Sequence, residues 1–198
     1  MKYEAASNRK KRVLADALKS LMLTKPLSKI TVSELIKSCG VNRNTFYYHF
    51  EDIYDLLKWM LEQEAIEVVK NFELVQETED AIRFVMDYVE ENDVILNNIY
   101  HSLGRDELNR FFHRDFHEII RSAIKESAEL QKCTVPDSYQ EFLCHFYTEA
   151  LAGVLVEWIT EDHHGDRELT VHYISSTLRA SILASLKTYN TRTPASSN

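Results

Sequence analysis

The sequence predicts an all-α protein of about nine helices, with a small three-helix N-terminal domain and a larger helical C-terminal one. Three observations carry that expectation. Apolar residues recur at three- and four-residue spacing through most of the 198 residues, no stretch alternates with period two for long enough to argue a strand, and the scarce glycines and prolines, four and three, read as punctuation.

The first helix is expected over about residues 7–23, where Leu14, Ala17, Leu18 and Leu21 share a face and Pro26 stops the run. Thr31 and Glu34 then form a T-x-x-E capping box, with Val32, Leu35 and Ile36 as the buried stripe of a second helix. Gly40 ends it, since a sharp reversal needs a residue at ease with positive φ, and Asn42 is placed to cap a third helix over 43–50. Glu51 and Asp52 suit the positive end of a fourth, longer helix that runs through Tyr54, Leu57, Met60, Leu61 and Val68 to about residue 72. Five further helices are expected over 79–91, 93–101, 105–129, 136–161 and 168–189, with breaks near Gly104, Pro136 and Gly165 and a frayed tail over 194–198. The expected domains are 1–52 and 53–193, followed by that tail.

Residues 31–50, TVSELIKSCGVNRNTFYYHF, carry the functional signal. Two short helices around a tight turn are a helix-turn-helix, and on the second of them Phe46 and Phe50 share one face. Asn44, Thr45, Tyr47 and Tyr48 occupy the opposite arc, with Arg43 on its flank. Such an arc suits a DNA major groove, because Arg and Asn can hydrogen-bond guanine and adenine edges, Thr and Tyr can meet thymine methyls or phosphates, and none of them is acidic.

The stretch resembles the N-terminal domain of the TetR/AcrR family of bacterial transcription regulators, along T-V-x-E-L-I, then G-V-N-R-N-T-F-Y-Y-H-F, and on through Leu56 and Leu57. The resemblance covers about the first 60 residues. It implies that Arg43, Asn44, Thr45 and Tyr48 face bases, that Tyr47 and His49 hold phosphates, and that Thr31 and Ser33 help to position the complex. Many family members carry a phosphate-binding lysine three or four residues after the His-Phe pair. This chain has Ile53 there, followed by Tyr54, so Tyr54 or Lys58 stands as a substitute. The segment YHSLGRDELNRFF also looks like the C-terminal domain of a subgroup that includes regulators of dihydroxyacetone kinase genes.

Charge points the same way. Residues 1–50 hold ten Lys/Arg against three Asp/Glu, a balance of +7, while the other 148 hold thirteen against twenty-eight, a balance of −15. Arg9, Lys10, Lys11 and Arg12 are expected near the start of the first helix, where the macrodipole is unfavourable to cations and a DNA phosphate would relieve the conflict.

Composition narrows the remaining classes. No apolar run reaches the roughly 20 residues that cross a bilayer, and the basic N-terminus lacks the apolar core of a secretion signal, so a cytoplasmic protein without a membrane partner is expected. Cys39, Cys133 and Cys144 form no C-x-x-C pair, which fits reduced thiols. His113 and His117 are spaced i, i+4, with His163 and His164 further on, but HRDFHE lacks the glutamate of the H-E-x-x-H motif, and a solvated polar face is expected. No hydrolase elbow or phosphate-cradling loop is present. No catalytic, cofactor-binding or metal-ligating residue is assigned, and no cofactor is expected.

The last two long helices set Ala150, Ala152, Gly153, Ser175, Ala180, Ser181, Ala184 and Ser185 among larger apolar residues, which allows close helix approach. They are expected to make a homodimer through a four-helix bundle, the arrangement the family resemblance implies. An effector cavity is expected around Tyr88, Ile99, Tyr100, Phe112, Phe116, Phe146, Tyr147 and Trp158. In the family such a small molecule biases DNA-competent spacing, with coupling through the fourth helix. The expectation is thus a ligand-responsive repressor on a near-palindromic double-stranded operator. The rivals are a helix-turn-helix that meets a protein partner, and a helical metal-binding or catalytic domain using His113 and His117.

Overall fold

The computed structural model describes residues 2–160 and 166–192. Among them the chain forms nine longer helices, a 3-10 turn at Leu27–Lys29 and no strand: α1 Lys2–Met22, α2 Val32–Cys39, α3 Arg43–His49, α4 over 53–69, α5 Thr78–Glu91, α6 Asp93–Leu103, α7 Arg105–Leu130, α8 Asp137–Thr160 and α9 Arg167–Arg192. His163, His164, Gly165 and the expected tail at 194–198 lie outside the described residues.

Two elements depart from the sequence reading. α1 begins at Lys2, because the Glu4-Ala5-Ala6 run is itself a good helix former. Arg9 to Arg12 therefore sit in the body of the helix, beyond the first turn to which the macrodipole is confined, so that part of the argument for an anion falls away. α4 is regular over Ile53–Leu61, widens into a π-helical turn at Glu62–Ile66 and closes with Glu67–Val69. It stops short of residue 72 because the Phe72 N–H turns back to the Val69 carbonyl, only three residues earlier, at 3.2 Å.

Contacts divide the chain into two compact units, one of residues up to Val68 with Glu91–Leu108, the other of Val69–Glu90 with the rest of the chain from Asn109. Compactness thus carries the first unit through most of α4 and adds α6, beyond the boundary expected at 52/53. The first unit is built on Leu14, Leu18, Met22, Leu35, Phe46, Leu56, Leu57 and Met60, with Leu96 and Ile99 from α6. α6 also supplies a polar brace. The Asn98 amide donates to the carbonyls of Met22 and Lys25 at 2.7 Å each and accepts from the Leu27 N–H at 2.8 Å, satisfying backbone groups released where α1 ends.

In the second unit, Ile120 and Ile124 of α7, Leu143, Cys144 and Tyr147 of α8, and Ile182 and Leu186 of α9 form one apolar cluster. The Tyr147 hydroxyl donates to Ser181 Oγ at 3.0 Å, so its polar tip is satisfied inside that cluster. Arg83 of α5 pairs with Glu168 of α9, while Arg167 pairs with Asp87 and Glu90 of α5. All three cysteines are free, and burial pushes the Cys144 thiol up, away from its reactive form.

Candidate nucleic-acid interface

The α2–turn–α3 frame forms from the local signals that the sequence carries. Thr31 Oγ accepts from the Glu34 N–H at 3.3 Å, Gly40 takes φ +68°, and Asn42 Oδ1 accepts from the Thr45 N–H at 2.7 Å. Glu34, the other half of the capping box, turns its carboxylate to Lys25 instead, since a charged partner outweighs a lone backbone donor. Phe46 and Phe50 are buried and fix the rotation of α3. With that face inward, Arg43, Asn44, Tyr47 and Tyr48 are exposed, Tyr48 at 82 %, and Thr45 and His49 are half-buried at the margin.

The arc has internal order. The Arg43 guanidinium donates to Ser33 Oγ at 3.1 Å and to Tyr47 Oη at 3.4 Å, and lies 5.5 Å from the Tyr47 ring centre. Arg43 is thereby held over the α2–α3 junction, where Thr31 and Ser33 are also exposed. Tyr48 meets the edge of His49, ring centres 4.9 Å apart. Burial, then Lys11, then Lys10 pull the His49 imidazole below its ordinary range, so two α1 cations sit close enough to be felt at the end of α3. Lys11 also stands over the rings of Phe50 and Trp59, at 5.6 and 5.5 Å. In the sequence these lysines stand only as part of a basic run.

Ile53 is buried in the core, so an apolar side chain suits that position. Of the two substitutes for the family lysine, Tyr54 is exposed, whereas Lys58 reaches Glu62 at 3.7 Å.

A cavity of about 240 Å³ lies within the second unit. Ile82, Val85 and Met86 of α5, Ile119, Ile120 and Ala123 of α7, Leu151 and Leu155 of α8, and Ile174 and Leu178 of α9 line it, with Thr78, Ser127, Gln131 and Arg179 as polar groups. Of the eight residues expected to line an effector site, Phe116 alone does so. Phe112 is buried and stacks on Phe116, Tyr147 belongs to the apolar cluster, and Phe146 is 55 % exposed. Ile99 and Tyr100 lie on α6 in the other unit, while Tyr88 and Trp158 are half-buried on α5 and α8. The expectation followed aromatic residues, but the space opens where aliphatic stripes meet at small residues such as Ala123 and Ser127. An aliphatic stripe interrupted by a small residue was the available signal.

His113 and His117 stack with ring centres 6.0 Å apart, yet each meets a different acid, His113 reaching Glu149 at 3.2 Å and His117 reaching Glu141 at 3.1 Å. The close cluster joins His113 to His145 and Glu149 of α8, whose ligand atoms all lie within 4.8 Å of one another.

Two family models match the chain. Residues 14–60 match the model of bacterial regulatory proteins of the tetR family, and residues 76–180 match that of a transcriptional regulator C-terminal region. The chain is 21 % identical over 148 residues to the HTH-type dhaKLM operon transcriptional activator DhaS of Lactococcus lactis subsp. lactis (strain IL1403), an alignment that covers 75 % of this chain and 78 % of that protein. A solved structure described as dihydroxyacetone kinase operon activator DhaS superimposes with a TM-score of 0.66 at 19 % identity, covering 91 % of this chain and 97 % of the other, and shares the fold. The helix-turn-helix and the matched C-terminal region together account for most of the chain, which belongs to the TetR family of transcriptional regulators.

Proposed function

We propose that the protein is a sequence-specific DNA-binding regulator that works as a homodimer on a near-palindromic operator and answers to an apolar small molecule. The exposed, acid-free arc of α3 carries this reading, held over a buried Phe46–Phe50 face and flanked by cations of α1. Arg43, Asn44, Thr45 and Tyr48 read bases in the major groove, and Tyr47 and His49 take phosphates, with Thr31 and Ser33 at the margin. Tyr54, exposed beside the buried Ile53, is the better substitute for the family lysine. Selection of bound sites from random duplexes tests the reading. An inverted repeat is expected, with half-site centres about 34–36 Å apart or somewhat more, and lack of preference for any duplex defeats it.

Dimerisation is assigned to α8 and α9. By length and composition α8 is apolar enough to cross a membrane, yet only 44 % of that apolar window is buried within the chain. Phe142, Phe146 and Val154 of α8, and Leu169 and Tyr173 of α9, are exposed. A second copy covers such a surface, and Ala180 and Ala184 leave room for close approach.

The cavity is the effector site in this reading. Its volume falls a little under the roughly 300–1,000 Å³ usual for drug-sized ligands, and its lining is almost wholly aliphatic, which suits a small or slender apolar molecule with one or two polar groups. Enlarging Ala123 to Phe is expected to abolish the response to such a molecule while operator binding persists. Repression by occupying the operator is one reading of the regulatory sign. The L. lactis relative's name as an activator favours the other, activation of transcription, and a reporter driven from the selected operator separates them.

A further inference from the structure

We propose that His113, His145 and Glu149 form a site for a divalent transition metal, zinc above all, which clips α7 to α8. The three donors converge from two helices. His145 and Glu149 are one turn apart on α8, so they project from the same side, and His113 faces them from α7. All three ligand atoms lie within 4.8 Å of one another, and His113 Nε2 stands 3.2 Å from Glu149 Oε1. Two ligands at zinc bond lengths of about 2.0–2.1 Å, separated by a tetrahedral angle, stand about 3.3–3.4 Å apart. That pair is already at metal-bridging distance, and a rotamer adjustment of the exposed His145 brings in the third donor.

The donor set suits a cation. The two imidazole rings approach to 5.8 Å between centres, beside one carboxylate. A divalent cation engages all three donor atoms at once. Two imidazoles and one carboxylate suit zinc better than calcium or magnesium, which take oxygen ligands. The neighbouring His117–Glu141–Arg121 contacts form a separate ladder one turn away. His145 and Glu149 are exposed, so water completes the coordination.

The test uses the full-length chain without a purification tag, stripped with a chelator, with zinc chloride added against a chromophoric competitor and cobalt(II) as the spectroscopic probe. One zinc per chain is expected, with a tetrahedral cobalt spectrum and a rise in melting temperature. His145→Ala and Glu149→Gln are each expected to lower affinity by more than the roughly 10- to 100-fold that loss of an outer partner costs. Both positions are exposed, so neither change should disturb folding, and the metal-free melting temperatures check this. His117→Ala is expected to leave zinc binding unchanged. No zinc uptake by the wild type, or equal uptake by the His145 and Glu149 variants, overturns the proposal. None of these readouts depends on DNA binding.

Discussion

In the proposed reading, His49 couples the DNA face to pH. Burial and two neighbouring lysines of α1 disfavour its charged form, so its folded pKa lies below the 6.5 of the free side chain. Between those two values the unfolded chain binds the proton better, and folding stability contributed here is present above pH 6.5 and lost as pH falls through the folded value. A phosphate bound at His49 acts in the opposite sense, because it favours the imidazolium and screens the lysines. Operator affinity is therefore expected to rise as pH is lowered from about 8 to about 6, and His49→Gln to flatten that rise in a fluorescence-anisotropy titration. An equally steep rise in the variant removes His49 from the phosphate contact. Arg43 is the complementary case, being exposed and braced only by Ser33 and Tyr47. Arg43→Ala is expected to cost about 1–3 kcal/mol of specific binding without moving the melting temperature. Phe46→Ala, which empties a fully buried site, is expected to cost about 3–5 kcal/mol of folding stability.

Elements were legible in the sequence to the extent that local chemistry sets them. The Thr31 and Asn42 caps and the positive-φ Gly40 appear where the residue types place them, because each acts within four residues of its own position. What depends on distant residues was not legible. The turn from Glu34 to Lys25, the π-helical segment at Glu62–Ile66, the aliphatic cavity and the meeting of His113 with His145 and Glu149 leave no periodic trace in the chain. Asn98 belongs to this class, a polar residue of α6 that satisfies three backbone groups more than seventy positions earlier. Truncating it strands two carbonyls and one N–H, at about 1–3 kcal/mol for each buried group left unsatisfied. Asn98→Ala is expected to lower the melting temperature and to speed hydrogen exchange at Leu27. Asn98→Asp, which keeps the acceptor and loses both donors, should protect Leu27 better than alanine does. Equal exchange in the two variants refutes the assigned brace.

At the scale of the whole molecule, the division of charge sets how the protein finds DNA. A chain of net charge −8 is repelled by a duplex at long range, yet its first 50 residues carry +7 and every group assigned to the interface except Tyr54. Attraction is therefore confined to those residues, and it comes mainly from phosphates, whose neutralisation releases counterions and makes binding steeply salt-dependent. Arg9, Lys10 and Arg12 are exposed on α1, and Lys10 is close enough to influence His49. If Lys10 neutralises one phosphate in each half-site, a dimer of Lys10→Gln loses two such contacts. The slope of log affinity against log salt is then expected to become shallower by about 1.8, from roughly 0.9 for each phosphate on B-DNA. A monomer bound at one half-site would lose half as much, so the slope change also counts the recognition modules in the complex. Phe146→Asp, which places a charge on the apolar face of α8, is expected to yield monomers in sedimentation equilibrium and to leave only the weaker half-site binding. In that background Lys10→Gln should change the slope by about 0.9. A full 1.8 with Phe146→Asp already present would move the dimer contact off this face of α8 and α9, and no slope change in either background would remove Lys10 from the DNA interface.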